Sequence, residues 1–445
     1  TIDQAFNTLG TYTVALRVRD FDGVTDIDTS LVTVLNLSQW GAPVRLTTTA
    51  GEKELFDINQ NTSNALSVGP DGTVHLAWYT FLPYTVYHQS FAPSAPPITW
   101  NPREIVAMMT GGGTAQVSIT TTPDNITHIT FGTNDPGNPR MYANNQGGSW
   151  SLPLQIPGST DPGRWARTYM TSGPTGTVGF LGMWGRGDQP ASGSGLPALP
   201  DDIYFTKITS GAWDPLALIG GADMITSEGG GGRVESEALV GTDTGEWIAV
   251  WENLYTPFPG GPTGVPSNCK LVWNQTAAGV WGAGGADLYA DGGDYDLPIL
   301  ARSPNGLIWL GARIPTTDAW GLATYDGTDW SPTLTQVIDP TGVTFSRLPL
   351  TEFAFDNLGR GCILVAYREP EAPVQAKFFL QDDLPSTLAT CPVRVVEPQA
   401  TGVGRPMCAI APHGDGRFTA IWLTTKYDPG NPYFADTEID YSTFD

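Results

Sequence analysis

The sequence predicts an all-β protein whose main part is a seven-bladed β-propeller closed by an N-terminal strand. Three observations predict this fold. The composition is poor in helix formers, a strand–turn–strand unit recurs seven times, and a lone fourth strand before the first unit matches a missing one after the last. The repeat assigns residues 37–445 to the propeller and leaves residues 1–36 as a separate fragment.

The composition favours strands and turns over helices. Glycine (53) and proline (37) together make up about a fifth of the 445 residues, and charged residues make up only 15%. The 15 Trp, 15 Tyr and 17 Phe suit strands, where aromatic side chains fit the pleated surface. A net charge of −23 argues against a nucleic-acid partner, although a local arginine cluster could still hold a small anionic ligand. No apolar run approaches membrane-spanning length, so we predict no membrane insertion.

The repeated unit is a short apolar strand, a Pro/Asp/Gly turn and a second strand that is apolar at nearly every position. Proline presets φ for the turn, and glycine takes positive φ without steric cost. An almost wholly apolar second strand is expected where blades stack face to face. The seven copies begin at Ala65, Val117, Thr168, Ala238, Pro298, Phe353 and Cys408, and they turn at Gly72, Asn125, Gly176, Gly245, Gly306, Gly361 and Gly416.

A third strand and a fourth strand complete each unit except the last. In the first five units the fourth strand opens on a tryptophan, at Trp100, Trp150, Trp213, Trp281 and Trp330, and in the sixth it opens on Cys391. The seventh unit has no fourth strand, whereas Trp40 begins one that nothing precedes. We therefore predict that the segment after Trp40 pairs beside the terminal strand near Tyr441, which hides both exposed sheet edges.

Residues 1–36 lie outside the repeat. The segments GTYTVALRVRD from Gly10 and TSLVTVLN from Thr29 alternate apolar and polar residues around the turn DFDGVTD. They resemble the end of a PKD-type (polycystic-kidney-disease) domain, which typically reads F-x-x-x-G-x-Y-T-V followed by D-x-x-G. The resemblance implies a partial immunoglobulin-like β-sandwich fragment, the C-terminal part of a PKD-type domain, of the kind that serves as a spacer beside extracellular modules.

The hairpins before several fourth strands resemble the Asp-box (BNR repeat) of sialidase-like propellers, S-x-D-x-G-x-T-W. Residues 144–150 (NNQGGSW) keep the glycine, the hydroxyl and the tryptophan but lack the Asp, and residues 326–330 and 210–213 are more degraded. The resemblance implies a propeller over residues 37–445. Sialidases also carry an early R-I-P motif, but Arg313-Ile314-Pro315 ends a second strand in the fifth unit. We attribute that match to chance and do not favour sialidase chemistry.

The starts of the first strands form the candidate ligand site, because they share one face of the ring with the loops that join second to third strands. Guanidinium groups suit capture of carboxylate or sulfate, and Trp or Tyr suits sugar stacking. The tentative ligand-binding residues are Arg164, Trp165, Arg167, Arg233, Glu235, Tyr295, Asp296, Arg347 and Arg405. The alternative is that arginines and carboxylates pair with one another and plug the channel mouth.

Long connections should rise from the same face, at residues 185–200, 220–232, 254–267 and 426–435.

We predict no cofactor, although two acidic turns, Asp20–Asp26 and Asp291–Asp296, could offer oxygen ligands to Ca²⁺ or be plain acidic turns. Of the four cysteines, three fall in the last two units, where one disulfide or buried free thiols are equally open.

These observations lead to two functional hypotheses. The first is a secreted or cell-surface, non-catalytic recognition, adhesion or scaffold module of a larger protein, which binds a glycan or protein partner at the loop-rich face and could assemble into a larger surface structure. The alternative is a carbohydrate-active enzyme, a sialidase-like glycosidase or a lyase, working at the funnel mouth. Two carboxylates about 5–9 Å apart over a cleft would favour the enzyme. Carboxylates matched to arginines would favour the module.

Overall fold

The structure, a computed structural model, describes residues 10–19, 25–34, 40–47, 54–55, 65–81, 84–92, 98–109, 117–133, 139–159, 164–185, 202–221, 232–255, 268–289, 295–314, 319–338, 350–366, 374–383, 391, 393–397, 408–413, 417–425 and 437–444. Throughout these residues the regular secondary structure is β-strand. No helix in this part of the chain has the length and hydropathy needed to cross a membrane.

The strands follow the repeat that the sequence predicts. In chain order they are β1 Gly10–Arg19, β2 Thr25–Val34, β3 Val44–Arg45, β4 Glu54–Leu55, β5 Leu66–Val68, β6 Val74–Phe81, β7 Tyr84–Phe91, β8 Glu104–Met108, β9 Val117–Thr121, β10 Thr127–Gly132, β11 Arg140–Asn144, β12 Leu154–Gln155, β13 Arg164–Ser172, β14 Val178–Gly185, β15 Asp202–Thr209, β16 Ala212–Trp213, β17 Ala217–Gly221, β18 Gly232–Gly241, β19 Trp247–Tyr255, β20 Asn268–Ala277, β21 Val280–Trp281, β22 Ala286–Asp287, β23 Asp296–Arg302, β24 Ile308–Ile314, β25 Ala319–Tyr325, β26 Thr335–Ile338, β27 Leu350–Phe355, β28 Arg360–Ala366, β29 Val374–Leu380, β30 Val393–Glu397, β31 Cys408–Pro412, β32 Phe418–Thr425 and β33 Thr437–Phe444.

Seven small antiparallel sheets form the blades of a β-propeller, which confirms the predicted fold class. Blade 1 is β4 and β5 followed by β6, β7 and β8, and blade 2 is β9 to β12. Blades 3 and 4 are β13 to β17 and β18 to β22, each with a fourth strand in two short pieces. Blades 5 and 6 are β23 to β26 and β27 to β30, and blade 7 is β31 to β33 with β3. The space between two adjacent blades is called a seam, named by its blades. Strands β1 and β2 form a separate antiparallel hairpin.

The ring closes as predicted, because β3 is the fourth strand of blade 7. Val44 lies opposite Tyr441 and Arg45 opposite Asp440 in an antiparallel pair. The Arg45 Nε atom donates to Asp440 Oδ1 at 3.1 Å, and the Gly41 N–H donates to the Thr443 carbonyl at 2.8 Å. Strand β33 is thereby bonded on both edges.

The turns between first and second strands are five-residue loops, and the fourth residue of each described loop adopts positive φ. These residues are Gly72, Asn125, Gly176, Gly245, Gly306 and Gly359. Five of the positions agree with the sequence prediction, but in blade 6 the predicted turn glycine, Gly361, lies inside β28. The loop there runs from Asp356 to Arg360, with the Asp356 N–H donating to the Arg360 carbonyl at 2.8 Å. Gly361 is instead needed for packing, because a Cβ there would overlap the Phe379 ring.

The fourth-strand tryptophans join neighbouring blades. Each ring packs on an aromatic ring in the third strand of the preceding blade, at centroid separations between 4.9 and 6.1 Å. The pairs are Trp40 with Phe378, Trp100 with Tyr441, Trp150 with His88, Trp213 with Tyr142, Trp281 with Phe205, and Trp330 with Trp273. Because the rings turn into the seams, the regular strand begins after the tryptophan in blades 1 and 2, at Glu104 and Leu154.

The core lies in the seams, on both faces of the second strands. Every residue of β10 is buried, as the apolar pattern predicts for a strand covered on both faces. Fully buried tryptophans stand on the second strands of four blades, at Trp78, Trp251, Trp309 and Trp422. Burying one large aromatic side chain contributes about 1.5–3 kcal/mol, so these rings are a main source of cohesion between blades.

A row of hydrogen-bonded histidines crosses blade 1 in seam 1–2. His88 Nδ1 lies 2.8 Å from Glu104 Oε2, and His88 Nε2 lies 3.0 Å from His75 Nδ1. The ionised Glu104 carboxylate can only accept, so His88 carries its proton on Nδ1 and accepts from His75 Nδ1–H. His75 Nε2 is therefore unprotonated, and it is buried without a hydrogen-bond partner. Burial lowers the pKa of His75 to about 4 and, in blade 2, the pKa of His128 to about 4.

We expect the free energy of unfolding to fall as the pH drops from about 6.5 to about 4. In that window the unfolded chain binds protons at His75 and His128 and the folded chain does not, so acid favours unfolding by on the order of a few kcal/mol in total. Urea unfolding midpoints measured across this range test the expectation. The double variant His75→Gln/His128→Gln should show a flatter pH dependence than the parent, and an unchanged slope would contradict the assignment.

Candidate ligand-binding site

Three consecutive blades carry a β-bulge near the start of the first strand. The register shifts between Trp165 and Arg167 in β13, between Val234 and Glu237 in β18, and between Asp296 and Ile299 in β23. The first strands of blades 2, 6 and 7 pair with their second strands without a shift. Bulges re-aim side chains and are concentrated at barrel rims and beside active sites. The site at the starts of β13, β18 and β23 is called the bulged rim.

Asp296 of the bulged rim is held by an arginine that the sequence analysis set aside. The Arg313 Nε atom donates to Asp296 Oδ1 at 2.7 Å, and Arg313 Nη2 donates to Asp296 Oδ2. Both side chains are buried, with 8% and 9% of their surface exposed. At this position the structure realises the alternative in which a carboxylate is matched to an arginine. The pair points toward blade 6, since Gly311, two residues before Arg313, lies beside the Phe353 ring.

The bulge in blade 5 is fixed from the neighbouring blade. Leu297 adopts a φ of 51°, an uncommon conformation for a branched residue, immediately before Pro298. Its N–H donates to the buried Glu252 Oε2 at 3.2 Å across seam 4–5. The sequence did contain a signal for this bulge, because a proline inside a strand marks a bulge or an edge.

Glu352, on β27, the first strand of blade 6, also bonds to the neighbouring blade. Its Oε2 accepts from the Ile410 N–H at 3.2 Å across seam 6–7, just as Ser118 Oγ accepts from the Met170 N–H at 3.2 Å across seam 2–3. Burial raises the pKa of the Glu352 carboxyl well above its ordinary value.

An aromatic pair stands next to the bulge of blade 5. The rings of Tyr289 and Tyr295 are 5.2 Å apart between centroids, and Tyr295 is half-buried immediately before Asp296. Aromatic faces of this kind stack on the apolar faces of sugar rings. Tyr295 packs toward blade 4 whereas Asp296 faces blade 6, so the structure does not bring these two predicted site residues together.

The structure gives only the backbone course for five of the predicted residues. Arg164, Trp165 and Arg167 begin β13, and Arg233 and Glu235 lie near the start of β18, so both groups belong to the bulged rim. Arg347 and Arg405 lie outside the described residues, as do nearly all residues of the four long connections. The predicted Ca²⁺ turns also fall largely outside them, and Asp296 is engaged by Arg313. The described residues contain no group of three or more His, Cys, Asp or Glu that could hold a metal ion.

The described cysteines follow the free-thiol alternative. Cys362, Cys391 and Cys408 are not joined to one another, and burial raises the pKa of the Cys362 thiol well above its ordinary value.

The buried Glu252 and Asp296 and the half-buried Glu352 lie in different seams rather than together. Glu252 faces blade 5, Asp296 faces blade 6 and Glu352 faces blade 7. Each is bonded to a group on its own or the next blade, which joins neighbouring blades and orients the first strands. Sequence reasoning missed Arg313, Glu252 and all three bulges.

No protein-family model matches the chain, and no curated protein matches its sequence. In structure the chain is similar to an ulvan lyase, described as a new family of polysaccharide lyase, with a TM-score of 0.57 and 11% identity over 88% of this chain and 94% of the lyase. It is also similar to a protein of unknown function from Dyadobacter fermentans, with a TM-score of 0.46 and 11% identity over 90% of this chain and 98% of the other. An α-L-arabinofuranosidase from Fusarium graminearum shows a TM-score of 0.47 and 13% identity over 74% and 91% of the two chains. At 11% identity the likeness to the lyase shows the fold alone.

Proposed function

We propose that this protein is a glycan-recognition module that binds an anionic polysaccharide at the bulged rim of blades 3 to 5. The observation that carries the proposal is the coincidence of three bulges in adjacent blades with the residues Arg164, Trp165, Arg167, Arg233, Glu235, Tyr295 and Asp296. A bulge interrupts a regular ladder, so three in adjacent blades distinguish this part of the ring from blades 2, 6 and 7, whose described first strands pair without a shift.

The chemistry of the rim suits an acidic sugar. Arg164, Arg167 and Arg233 supply guanidinium groups, which bind carboxylate and sulfate in bidentate fashion. The pairing of Asp296 with Arg313 supports recognition rather than catalysis at that carboxylate, because a charge-matched acid is not free to exchange protons. The overall charge of −23 repels acidic polymers, so their binding depends on the attraction of this local arginine group.

The wider setting of the module is part of the proposal. The hairpin β1–β2 belongs to the C-terminal part of a PKD-type spacer, and the degraded Asp-boxes mark a sialidase-like propeller ancestry. In this reading the protein is secreted or exposed at a cell surface, and residues 1–36 and 37–445 are its two domains. Its partner is a surface or matrix polysaccharide.

Binding depends on the rim arginines, and this can be measured. We expect the double variant Arg164→Ala/Arg167→Ala to lose at least about tenfold in affinity, since a hydrogen bond to a charged group contributes roughly 1.5–3 kcal/mol. Affinity electrophoresis against polygalacturonate, alginate and heparin, with dextran as a neutral polymer, gives the readout. Arg302→Ala is the matched control, because Arg302 pairs with the exposed Asp243 near the turns of the opposite face. Equal affinity of both variants would contradict the proposal.

The second candidate is a carbohydrate-active enzyme, a glycosidase or lyase, and Glu352 is the observation that favours it. Burial raises the pKa of this carboxyl, so it keeps its proton to a higher pH than an ordinary glutamic acid, which is the property of a general acid that protonates a leaving glycosidic oxygen. The same polymers, assayed for reducing ends and for the ultraviolet absorbance of an unsaturated product, test this candidate. Turnover that Glu352→Gln abolishes would support the enzyme, and binding without turnover would support the module.

A further inference from the structure

A buried asparagine in blade 4 has no hydrogen-bond partner. Asn253, near the end of β19, is 0% exposed, and both its Nδ2 and Oδ1 atoms lack a partner. Buried amides in folded proteins are nearly always bonded, so an amide with neither its donor nor its acceptor used needs an explanation. Leaving it unpaired weakens the fold, so its presence calls for a functional explanation.

The unpaired amide faces blade 3. Side chains two residues apart on a regular strand share one face, so Asn253 points to the same side as Trp251. Trp251 packs with Leu181 and Ile219 of blade 3, and Gly220 has no room for a Cβ beside its ring. Asn253 therefore lies in seam 3–4.

Along the strand direction, Asn253 lies level with the bulged rim. Its partner in the register is Val234, the last residue paired before the bulge of β18. On the first strand, across the bulge, the buried Glu237 lies opposite Trp251 and hence on the same face as Asn253. The bulge of β13 stands at the same level of blade 3, at Trp165 and Arg167. The amide therefore lies level with two of the three bulges, those of β13 and β18.

We propose that Asn253 is a specificity-determining residue of the glycan site, and that its amide reads a pair of adjacent hydroxyls on a sugar that enters seam 3–4. The inference rests on the proposed function. An amide presents one donor and one acceptor side by side, which matches two neighbouring hydroxyls, each able to donate and accept. The bulge between Val234 and Glu237 interrupts the backbone ladder of blade 4 there, so displacing the start of β18 breaks fewer backbone hydrogen bonds than displacing a regularly paired strand.

The substitution Asn253→Leu distinguishes a role of the amide in ligand binding from a role in the stability of the fold. Leucine fills the same volume and removes the unpaired amide, so we expect an equal or higher melting temperature together with at least about a tenfold loss of affinity. Affinity is measured against polygalacturonate, alginate and heparin, and stability by thermal unfolding of the full chain.

Asn274→Leu is the matched control in the same blade. Asn274 is buried too, but its Nδ2 donates to the Ile219 carbonyl at 2.8 Å and to the Gly282 carbonyl at 3.1 Å. Its replacement should lower the melting temperature and leave the affinity of the folded protein unchanged.

The outcomes distinguish the inference from the proposed function. Full affinity of Asn253→Leu, with affinity still lost in Arg164→Ala/Arg167→Ala, overturns the role of Asn253 and leaves the glycan site standing. A melting temperature that falls as far as in Asn274→Leu also overturns it, because the amide would then support the fold. Failure of the parent protein to bind any of the three polymers overturns both.

Discussion

Replacing Arg313 by methionine should destabilise the protein by about 3–5 kcal/mol, which is among the largest effects expected of a single substitution in this chain. Methionine keeps most of the side-chain volume but leaves the Asp296 carboxylate buried, at 6% exposure, without its guanidinium. The lost attraction and the uncompensated desolvation of Asp296 act in the same direction. The urea midpoint of unfolding measures the loss.

The double variant Arg313→Met/Asp296→Leu is the control for this prediction. Replacing both members of a buried ion pair by apolar residues of similar size is often neutral or stabilising. We therefore expect the double variant to recover most of the stability that the single variant loses. A single variant as stable as the parent would show that the Asp296–Arg313 pair is not buried as described. The double variant also removes a predicted ligand residue, so its glycan affinity reports whether Asp296 touches the polymer.

Removing the closing strand should be the most damaging truncation. A chain that begins at residue 48 lacks β3 and Trp40, whose ring packs on Phe444 and Phe378. Loss of a buried tryptophan alone removes about 3–5 kcal/mol. The truncation also leaves one edge of β33 unpaired, which is a template for association with other chains. We expect a strongly lowered melting temperature and oligomers in size-exclusion chromatography.

A chain that begins at residue 37 is the control, since it lacks the hairpin β1–β2 but keeps β3 and Trp40. Its melting temperature should equal that of the parent protein, and it should be equally monodisperse in size-exclusion chromatography. Equal stability of the two truncated chains would mean that β3 contributes nothing to the ring. A lower melting temperature of the chain that begins at residue 37, relative to the parent protein, would show that the predicted boundary between residues 36 and 37 is wrong.

The sequence predicted those parts of the fold that depend on local chemistry. Gly72 and Asn125 are needed by the turns in which they stand, and the segment after Trp40 was the one fourth strand left to complete blade 7. The turn of blade 6 was misassigned because two glycines, Gly359 and Gly361, lie two residues apart there. The structure distinguishes them, because Gly359 adopts a φ of 81° in the turn whereas Gly361 packs under the Phe379 ring.

The site was less predictable because it depends on how adjacent blades meet. Arg313 was dismissed as part of a chance motif, yet strand parity turns it toward the buried Asp296. Glu252 looks like an ordinary residue at a strand end, and only the bulge at Leu297 gives its carboxylate a partner on the next blade. A repeat pattern specifies the blades one at a time, whereas these contacts are set by the angle between two of them.

The closing pair also constrains the order in which the protein can be made. Arg45 and Asp440 are 395 positions apart, so during translation β3 leaves the ribosome long before its partner strand exists. The ring cannot close until β33 has been synthesised, and so non-local a pairing is slow by the measure of contact order. Strand β3 has only two residues, and both are exposed. So short a strand offers few backbone groups for other nascent chains to pair with before β33 is available.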